Sequence, residues 1–175
     1  MDPLPILQSL VAVNSINPTL VPGAPGEGMV ADVTGVAMAE AGLDVVFQEA
    51  APGRKNVIGV LEGAAPGPAV MFCGHIDTVG VEGMVEPFVP RVDNGRLYGR
   101  GAQDMKGGVA AMIAAAGVLA RCWTRGRLIV AAVVDEEHMS IGAEALVRDW
   151  RADVAVVTEP TDLQMAVGHK GFAWV

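Results

Sequence analysis

The stretch from Leu128 to Glu137, LIVAAVVDEE, passes from seven consecutive apolar residues directly into three acidic ones. An apolar run of this length, rich in β-branched residues, is typical of a central strand that is covered on both faces of a sheet. Ligands of open α/β sheets gather at the carboxyl ends of the strands. The stretch therefore predicts a buried strand that carries Asp135, Glu136 and Glu137 to the functional edge of a sheet.

Helix and strand patterns alternate on both sides of this strand. The spacing of apolar residues predicts helices over 4–11, 27–41, 105–119 and 141–150. Strands are predicted over 43–49, 56–61, 69–73 and, as a further buried strand, 154–157. Residues 76–96 are predicted to be irregular, and the tail 163–175 to form a hairpin around His169-Lys170-Gly171. Such alternation favours a three-layer α/β/α sandwich with a mostly parallel mixed sheet, and no repeat or linker divides the chain.

Composition limits the class of protein. The formal net charge of -8 at pH 7 argues against a nucleic-acid-binding surface. No apolar run approaches the roughly 20 residues of a membrane helix, and the N-terminus lacks a signal-peptide pattern. Cys73 and Cys122 have no partner spacing and are interpreted as buried free thiols, which are typical of a reducing compartment. We therefore expect an acidic cytoplasmic domain without a nucleic-acid or membrane partner.

The other polar candidates occupy positions comparable to the acidic end of the central strand. His75, Asp77 and Glu159 follow predicted strands, and Asp104 precedes the helix predicted over 105–119. If these groups converge, their carboxylates repel one another unless a cation compensates them. One His with several carboxylates is a ligand set that suits zinc, and an Asp can bridge two ions. The sequence therefore predicts a metal site at the ends of the strands.

The pairs within this set suggest a division of labour. Asp77, two residues after His75, is placed to accept the second ring N–H of a ligating imidazole and so fix its tautomer. Of Glu136 and Glu137, one can bind metal while the other takes a proton from water. Each residue alone also has an ordinary interpretation, such as a turn, a solvated acidic loop or, for Asp104, a helix cap. Their shared position at strand ends and a helix start weakens those interpretations together.

Four segments carry a resemblance to a known family. They are Gly74 to Val79, Leu97 to Gly108, Asp135-Glu136-Glu137 with Gly142-Ala143, and Glu159-Pro160-Thr161. In order and approximate spacing the chain resembles the co-catalytic zinc family of acetylornithine deacetylase, succinyl-diaminopimelate desuccinylase, aminoacylase and glutamate carboxypeptidase. The resemblance implies a hydrolase that uses metal-activated water to cleave the amide bond of an N-acyl amino acid or small peptide. It implies two zinc ions in each complete active site, with cobalt or manganese as alternatives.

The resemblance also implies a role for each residue. The implied roles are His75 and Glu159 on one metal, Asp104 bridging both metals, Glu137 on the second metal, Glu136 as the general base, and Asp77 orienting His75. The family holds the bridging Asp in a cis peptide, so a cis Asp104-Met105 bond is predicted. Residues 14–18 and 21–27 resemble the acetylornithine deacetylase branch most.

The family's full-length enzymes are about twice as long as this chain. By that resemblance, residues 1–175 are the N-terminal portion of the catalytic domain, and the lid domain and the C-terminal catalytic segment are absent. Those segments supply two further histidines and the homodimer contacts. The second metal would then be one protein ligand short. His138 directly follows Glu137 in sequence and is not expected to reach the same ion, and His169 is expected in a surface turn. We therefore expect the isolated chain to be impaired or inactive.

Four other functions compete with this one. A non-catalytic remnant of the fold, acting as a binding or assembly module, is the main alternative, but the intact Glu136 favours catalysis. Nucleotide binding through Gly99 and Gly101 fits poorly, because Asp104 takes the third glycine position. A serine nucleophile is disfavoured because the sequence has no Gly-x-Ser-x-Gly elbow. A cysteine nucleophile is disfavoured because Cys73 lies inside an apolar strand.

Overall fold

The computed structural model describes residues 1–168. The predicted tail hairpin is centred on residues 169–171, and so this prediction, with His169, lies outside the described residues. None of the described helices combines the length and the apolar character that crossing a membrane requires.

Four helices and seven strands make up the described part of the chain. In chain order they are α1 (Pro3–Val11), α2 (Gly28–Glu40), β1 (Asp44–Ala51), β2 (Arg54–Glu62), β3 (Ala65–His75), β4 (Arg91–Asp93), β5 (Arg96–Tyr98), α3 (Lys106–Leu119), β6 (Arg125–Val133), α4 (Ile141–Asp149) and β7 (Val154–Val157).

Five strands form one mixed sheet in the order β1-β2-β6-β3-β7. The strand built from the opening stretch, β6, is central, and its residues from Leu128 to Val133 are buried. It pairs in parallel with β3, which in turn pairs in parallel with β7, while β2 pairs antiparallel with both β6 and β1. The strands that lead to the candidate site are therefore parallel, and their carboxyl ends lie at one edge of the sheet.

Helices cover both faces of this sheet. Alternate residues of β6 point to opposite faces, so Leu128 and Val130 pack with α1, α2 and α3, whereas Ile129 and Ala131 pack with Leu146 of α4. The predicted three-layer α/β/α sandwich with a mixed sheet is confirmed.

Two predictions about strands differ from the structure. Strand β7 was expected to be buried, yet Val154 and Val157 are 56% and 60% exposed, because β7 is the edge strand and pairs only with β3 among the described strands. The segment predicted to be irregular contains the β4–β5 hairpin. Its turn at Asn94-Gly95 has positive φ at both residues, as the tight turns of hairpins require.

Both cysteines are free, but only one is shielded from solvent. Cys73 is half-buried in β3, whereas Cys122 is exposed. The expectation that both thiols are buried is therefore wrong for Cys122, which follows the end of α3.

Helix α3 approaches the segment after β7 closely at Gly108. A Cβ at this position would overlap the carbonyl oxygen of Thr158. Gly108→Ala is therefore expected to lower the free energy of unfolding by about 1–3 kcal/mol, because backbone atoms must separate. Gly117→Ala in the same helix is the control, since its Cβ would lie 3.2 Å from the end of the flexible Met1 side chain. Urea unfolding measures both, and equal stabilities would contradict the prediction.

Candidate metal centre

His75, the last residue of β3, is buried at the carboxyl edge of the sheet, and its ring faces two different environments. Its Nδ1 lies 3.0 Å from the carbonyl oxygen of Asp77 and 3.4 Å from Oδ1 of the same residue. Its Nε2 lies 3.1 Å from Oδ1 of Asp104. When the ring is neutral, an Nδ1–H donated to Asp77 leaves the lone pair of Nε2 available to a metal ion, which is the tautomer that a metal ligand needs.

Three carboxylates surround Nε2 of His75. Besides Asp104, Oε2 of Glu136 lies 3.7 Å from it and Oε1 of Glu159 lies 3.8 Å from it. Ligand atoms of His75, Asp104 and Glu159 all lie within 4.8 Å of one another. The structure thus brings together residues from the ends of β3 and β7 and from the start of α3.

The charges in this cluster are unbalanced. Within residues 1–168, His75 is the only ion-pair partner of Asp104, Glu136 and Glu159. Burial disfavours a charged imidazole, but hydrogen bonds to carboxylates outweigh it and raise the pKa of His75 to about 11. Burial, reinforced by neighbouring carboxylates, raises the pKa of Glu137 to about 7. One imidazole and several crowded carboxylates are a donor set that fits a divalent cation.

Asp77 contacts more of the site than the sequence indicated. Besides its contacts with His75, its Oδ1 accepts the backbone N–H of Glu136 at 3.1 Å, and its Oδ2 accepts that of Glu137 at 3.2 Å. Burial opposes ionisation, but hydrogen bonds with His75, Asn17 and Glu136 lower the pKa of the carboxyl group. Asp77 therefore ties the loop after β6 to the end of β3.

Asp104 lies just before α3 but does not cap it. The residue at the cap position is Met105, and no side chain caps the helix there. The interpretation of Asp104 as a helix cap is therefore wrong. The Asp104-Met105 peptide bond is cis, as predicted. The Asp104 side chain is 59% exposed and turned towards His75.

Glu137 stands apart from the cluster. Among the described residues it is not one of the three side chains whose ligand atoms share the 4.8 Å group. Glu137 is still close enough to the cluster for the charges of His75 and Asp104 to affect its pKa. Its predicted role on a second metal remains a prediction.

A cleft of about 730 Å³ adjoins the segment that leads to Asp104. It is lined by Gly99, Ala102 and Gln103, by residues 84–87 and 89–90, and by part of the β4–β5 hairpin. The residues that line the cleft include Gln103, the neighbour of Asp104 in sequence, but none of the side chains that surround Nε2 of His75.

Sequence reasoning missed a buried polar network behind the site. Its members are Asn17, Glu27, Arg54 and Asp135, of which Asn17, Glu27 and Asp135 are almost entirely buried. Arg54 pairs with Glu27 and, at 2.8 Å, with Asp135. The sequence indicated Asn17 only as part of the segment 14–18 and Asp135 only as part of the acidic end of the central strand, and it indicated no contact between them. A signal did exist, since Asp135 directly follows seven apolar residues.

The fold and the cluster together define the class of protein. It is an α/β/α sandwich in which imidazole and carboxylate groups converge at the ends of parallel strands and could hold a metal ion. Residues 71–170 match the model of peptidase family M20/M25/M40. The chain belongs to this family.

Individual relatives agree with this assignment. The chain is 39% identical over 122 residues to succinyl-diaminopimelate desuccinylase of Rhodospirillum centenum, covering 60% of this chain and 32% of that protein. It is 32% identical, over an alignment of 189 positions, to the enzyme of the same name from Sphingopyxis alaskensis, covering 98% of this chain and 47% of that protein. The chain thus spans about a third to a half of the length of these relatives.

Solved structures share the fold. An M20 family metallo-carboxypeptidase from Sulfolobus solfataricus superposes with a TM-score of 0.74 at 20% identity, covering 90% of this chain and 37% of that one. Human carnosine dipeptidase 1 superposes with a TM-score of 0.72 at 22% identity, covering 89% of this chain and 37% of that one.

Proposed function

We propose that the protein is a metal-dependent hydrolase that cleaves the amide bond of small N-acyl amino acids or peptides. The observation that carries the proposal is the convergence of His75, Asp104 and Glu159 within 4.8 Å, with Glu136 beside them. Membership of the M20/M25/M40 family supports metal-dependent amide hydrolysis in general. The relatives named as desuccinylases support an N-acyl amino acid as the substrate class.

The proposed ligands divide between two positions. His75, Asp104 and Glu159 would hold one divalent cation, and Asp104 with Glu137 would contribute to a second. When bound, such cations polarise the carbonyl of the scissile amide and lower the pKa of water. Zinc is proposed for both, and the same donors also accept cobalt or manganese.

Glu136 is the proposed general base. Its carboxylate lies beside the cluster, 3.7 Å from Nε2 of His75, and its side chain is 42% exposed, so water and substrate can reach it. Glu136 Oε2 would take a proton from the attacking water and pass it to the nitrogen of the departing amine. Asp77 would keep this carboxylate in place through the backbone N–H of Glu136.

The finer proposal is an acetylornithine-type substrate. It is supported by the resemblance of residues 14–18 and 21–27 to the acetylornithine deacetylase branch. The first test is therefore a comparison of N-acetyl and N-succinyl derivatives of basic amino acids with simple dipeptides.

Metal addition tests the proposal most directly. After treatment with a chelator, zinc, cobalt or manganese at about 100 times its dissociation constant should stabilise the folded state by about 2.7 kcal/mol. Thermal unfolding with and without metal measures this effect, and amide hydrolysis is assayed on the same samples. A melting temperature that does not respond to any of the three ions would contradict the proposal. Metal binding without hydrolysis of any of these amides, also when the segments that the family places after residue 175 are present, would instead favour the binding-module alternative.

A further inference from the structure

Asn17 lies between two buried carboxylates behind the metal centre. Its side-chain Nδ2 donates to Oδ2 of Asp77 at 2.8 Å and to Oδ1 of Asp135 at 3.0 Å. All three side chains are almost completely buried. One amide group therefore supplies both of its N–H donors to acceptors that would otherwise face each other in a region of low dielectric constant.

The rest of Asn17 fixes how this amide is oriented. Its Oδ1 accepts the backbone N–H of Thr19 at 3.0 Å, and its own backbone N–H donates to the carbonyl oxygen of Thr78 at 2.9 Å. With its oxygen engaged on Thr19, Nδ2 can only face the two carboxylates. The orientation of the donors is thus set by the local turn.

Both carboxylates accept hydrogen bonds from the loop after β6, which carries the proposed general base Glu136 and the proposed metal ligand Glu137. Asp77 accepts the backbone N–H groups of Glu136 and Glu137, and Oδ2 of Asp135 accepts that of Met139 at 3.2 Å. Asp135 has a positive φ of 65°, which is uncommon outside glycine, and this backbone conformation accompanies the inward position of its carboxylate. The position of the loop therefore depends on two acidic side chains that Asn17 connects.

Different partners meet the two ends of this arrangement, with His75 at 3.4 Å from Asp77 and an arginine beside Asp135. Arg54 pairs with Asp135 at 2.8 Å and also with Glu27. Between Asp135 and Asp77, the group that donates to both is the neutral amide of Asn17. Removing it would leave two buried carboxylates with one donor fewer each, which is unfavourable for both.

We propose that Asn17 is a positioning residue, which holds Glu136 and Glu137 in place through Asp77 and Asp135. The role of that pair in hydrolysis rests on the proposed function, whereas the positioning itself does not. Asn17 touches neither substrate nor metal in this proposal and acts only through the two carboxylates.

Amide hydrogen exchange, followed residue by residue by NMR in the metal-free protein, tests the positioning. Asn17→Ala should speed exchange at the Glu136 and Glu137 amides by about tenfold or more, since hydrogen bonds to a loosened carboxylate open more often. Asn17→Asp keeps the shape but replaces both donors with acceptors, so its effect should be at least as large. Asn17→Ser keeps a side-chain oxygen that can accept the Thr19 N–H, but its shorter side chain does not span both carboxylates, and this variant decides the question if the others do not fold.

Two controls separate positioning from general destabilisation. Asn14→Ala removes a hydrogen bond of the same loop, from Ile16 N–H to Asn14 Oδ1, without contact to either carboxylate. Thr34→Val removes a buried hydroxyl that bonds to the Val30 carbonyl within α2. Neither control should change exchange at Glu136 and Glu137 selectively. Wild-type exchange rates at both amides in all folded Asn17 variants would overturn the proposal.

Cobalt affinity, measured by calorimetry, provides the second readout. Asn17→Ala should weaken it by about 10–100-fold, as is typical when a partner behind the ligands is lost. If the wild-type protein binds no cobalt, the proposed function fails, but the exchange experiment still decides the role of Asn17. If the wild type binds cobalt and the folded variant binds it equally well, with unchanged exchange, only the positioning role is refuted.

Discussion

Glu136→Gln, introduced into a protein that joins residues 1–175 to the lid and C-terminal segments of the family, is expected to reduce kcat for amide hydrolysis by about 10²–10⁴-fold, the usual contribution of a positioned general base. Glutamine keeps the shape of the side chain and its place beside His75 but cannot accept the proton of the attacking water. Since Glu136 lies outside the group of three converging ligand atoms, metal affinity should stay close to that of the wild type. The substitution therefore separates catalysis from metal binding.

The matched control for this prediction is Glu144→Gln. Glu144 is exposed on α4 and pairs only with Arg148 on the same helix among the described residues, so its loss should leave kcat unchanged. Steady-state kinetics and cobalt calorimetry on both variants complete the comparison. A Glu136→Gln enzyme with wild-type kcat would remove Glu136 from the mechanism.

Asp104→Asn is expected to abolish tight metal binding. Asp104 Oδ1 lies 3.1 Å from Nε2 of His75 and is the proposed bridge between two cations, so a neutral amide removes charge from both positions. The loss of metal affinity should be larger than the loss of about 10–100-fold that is typical when a hydrogen-bond partner of a metal ligand is removed. Because the Asp104 side chain is 59% exposed, the metal-free protein should remain folded.

Zinc and cobalt calorimetry measures this effect, together with the melting temperature of the metal-free protein. Asp93→Asn serves as the control, because Asp93 is an exposed carboxylate that pairs with Arg91 in the β4–β5 hairpin. Unchanged affinity in a folded Asp104→Asn protein would show that the cluster is not the metal site.

Local patterns were sufficient to predict most of the fold. The helices and the five strands of the main sheet lie where the spacing of apolar residues and the apolar run of β6 indicated them. The exposure of β7 could not be predicted, because a short apolar run looks the same in a buried central strand and in an exposed edge strand. The β4–β5 hairpin was missed although Asn94-Gly95 is a strong turn signal, since only three residues flank it on each side.

The candidate site was predictable to the extent that its residues occupy strand ends. His75 and Glu159 could be selected because strand ends converge in this class of fold, and Asp104 because it directly precedes a predicted helix. The supporting network could not, since the burial of Glu27 or Arg54 depends on partners far away in the sequence. A charged residue next to a turn is usually solvated, and only the tertiary structure distinguishes the exceptions.

The exposed position of β7 has a consequence for how the cluster is assembled. Four residues of this strand, paired with β3, carry Glu159 to a centre whose other members come from more interior elements. A cation bound there would connect β7, an edge strand of the described sheet, to the strands nearer its middle. Ligand occupancy and the docking of that strand are then thermodynamically linked, so that each stabilises the other.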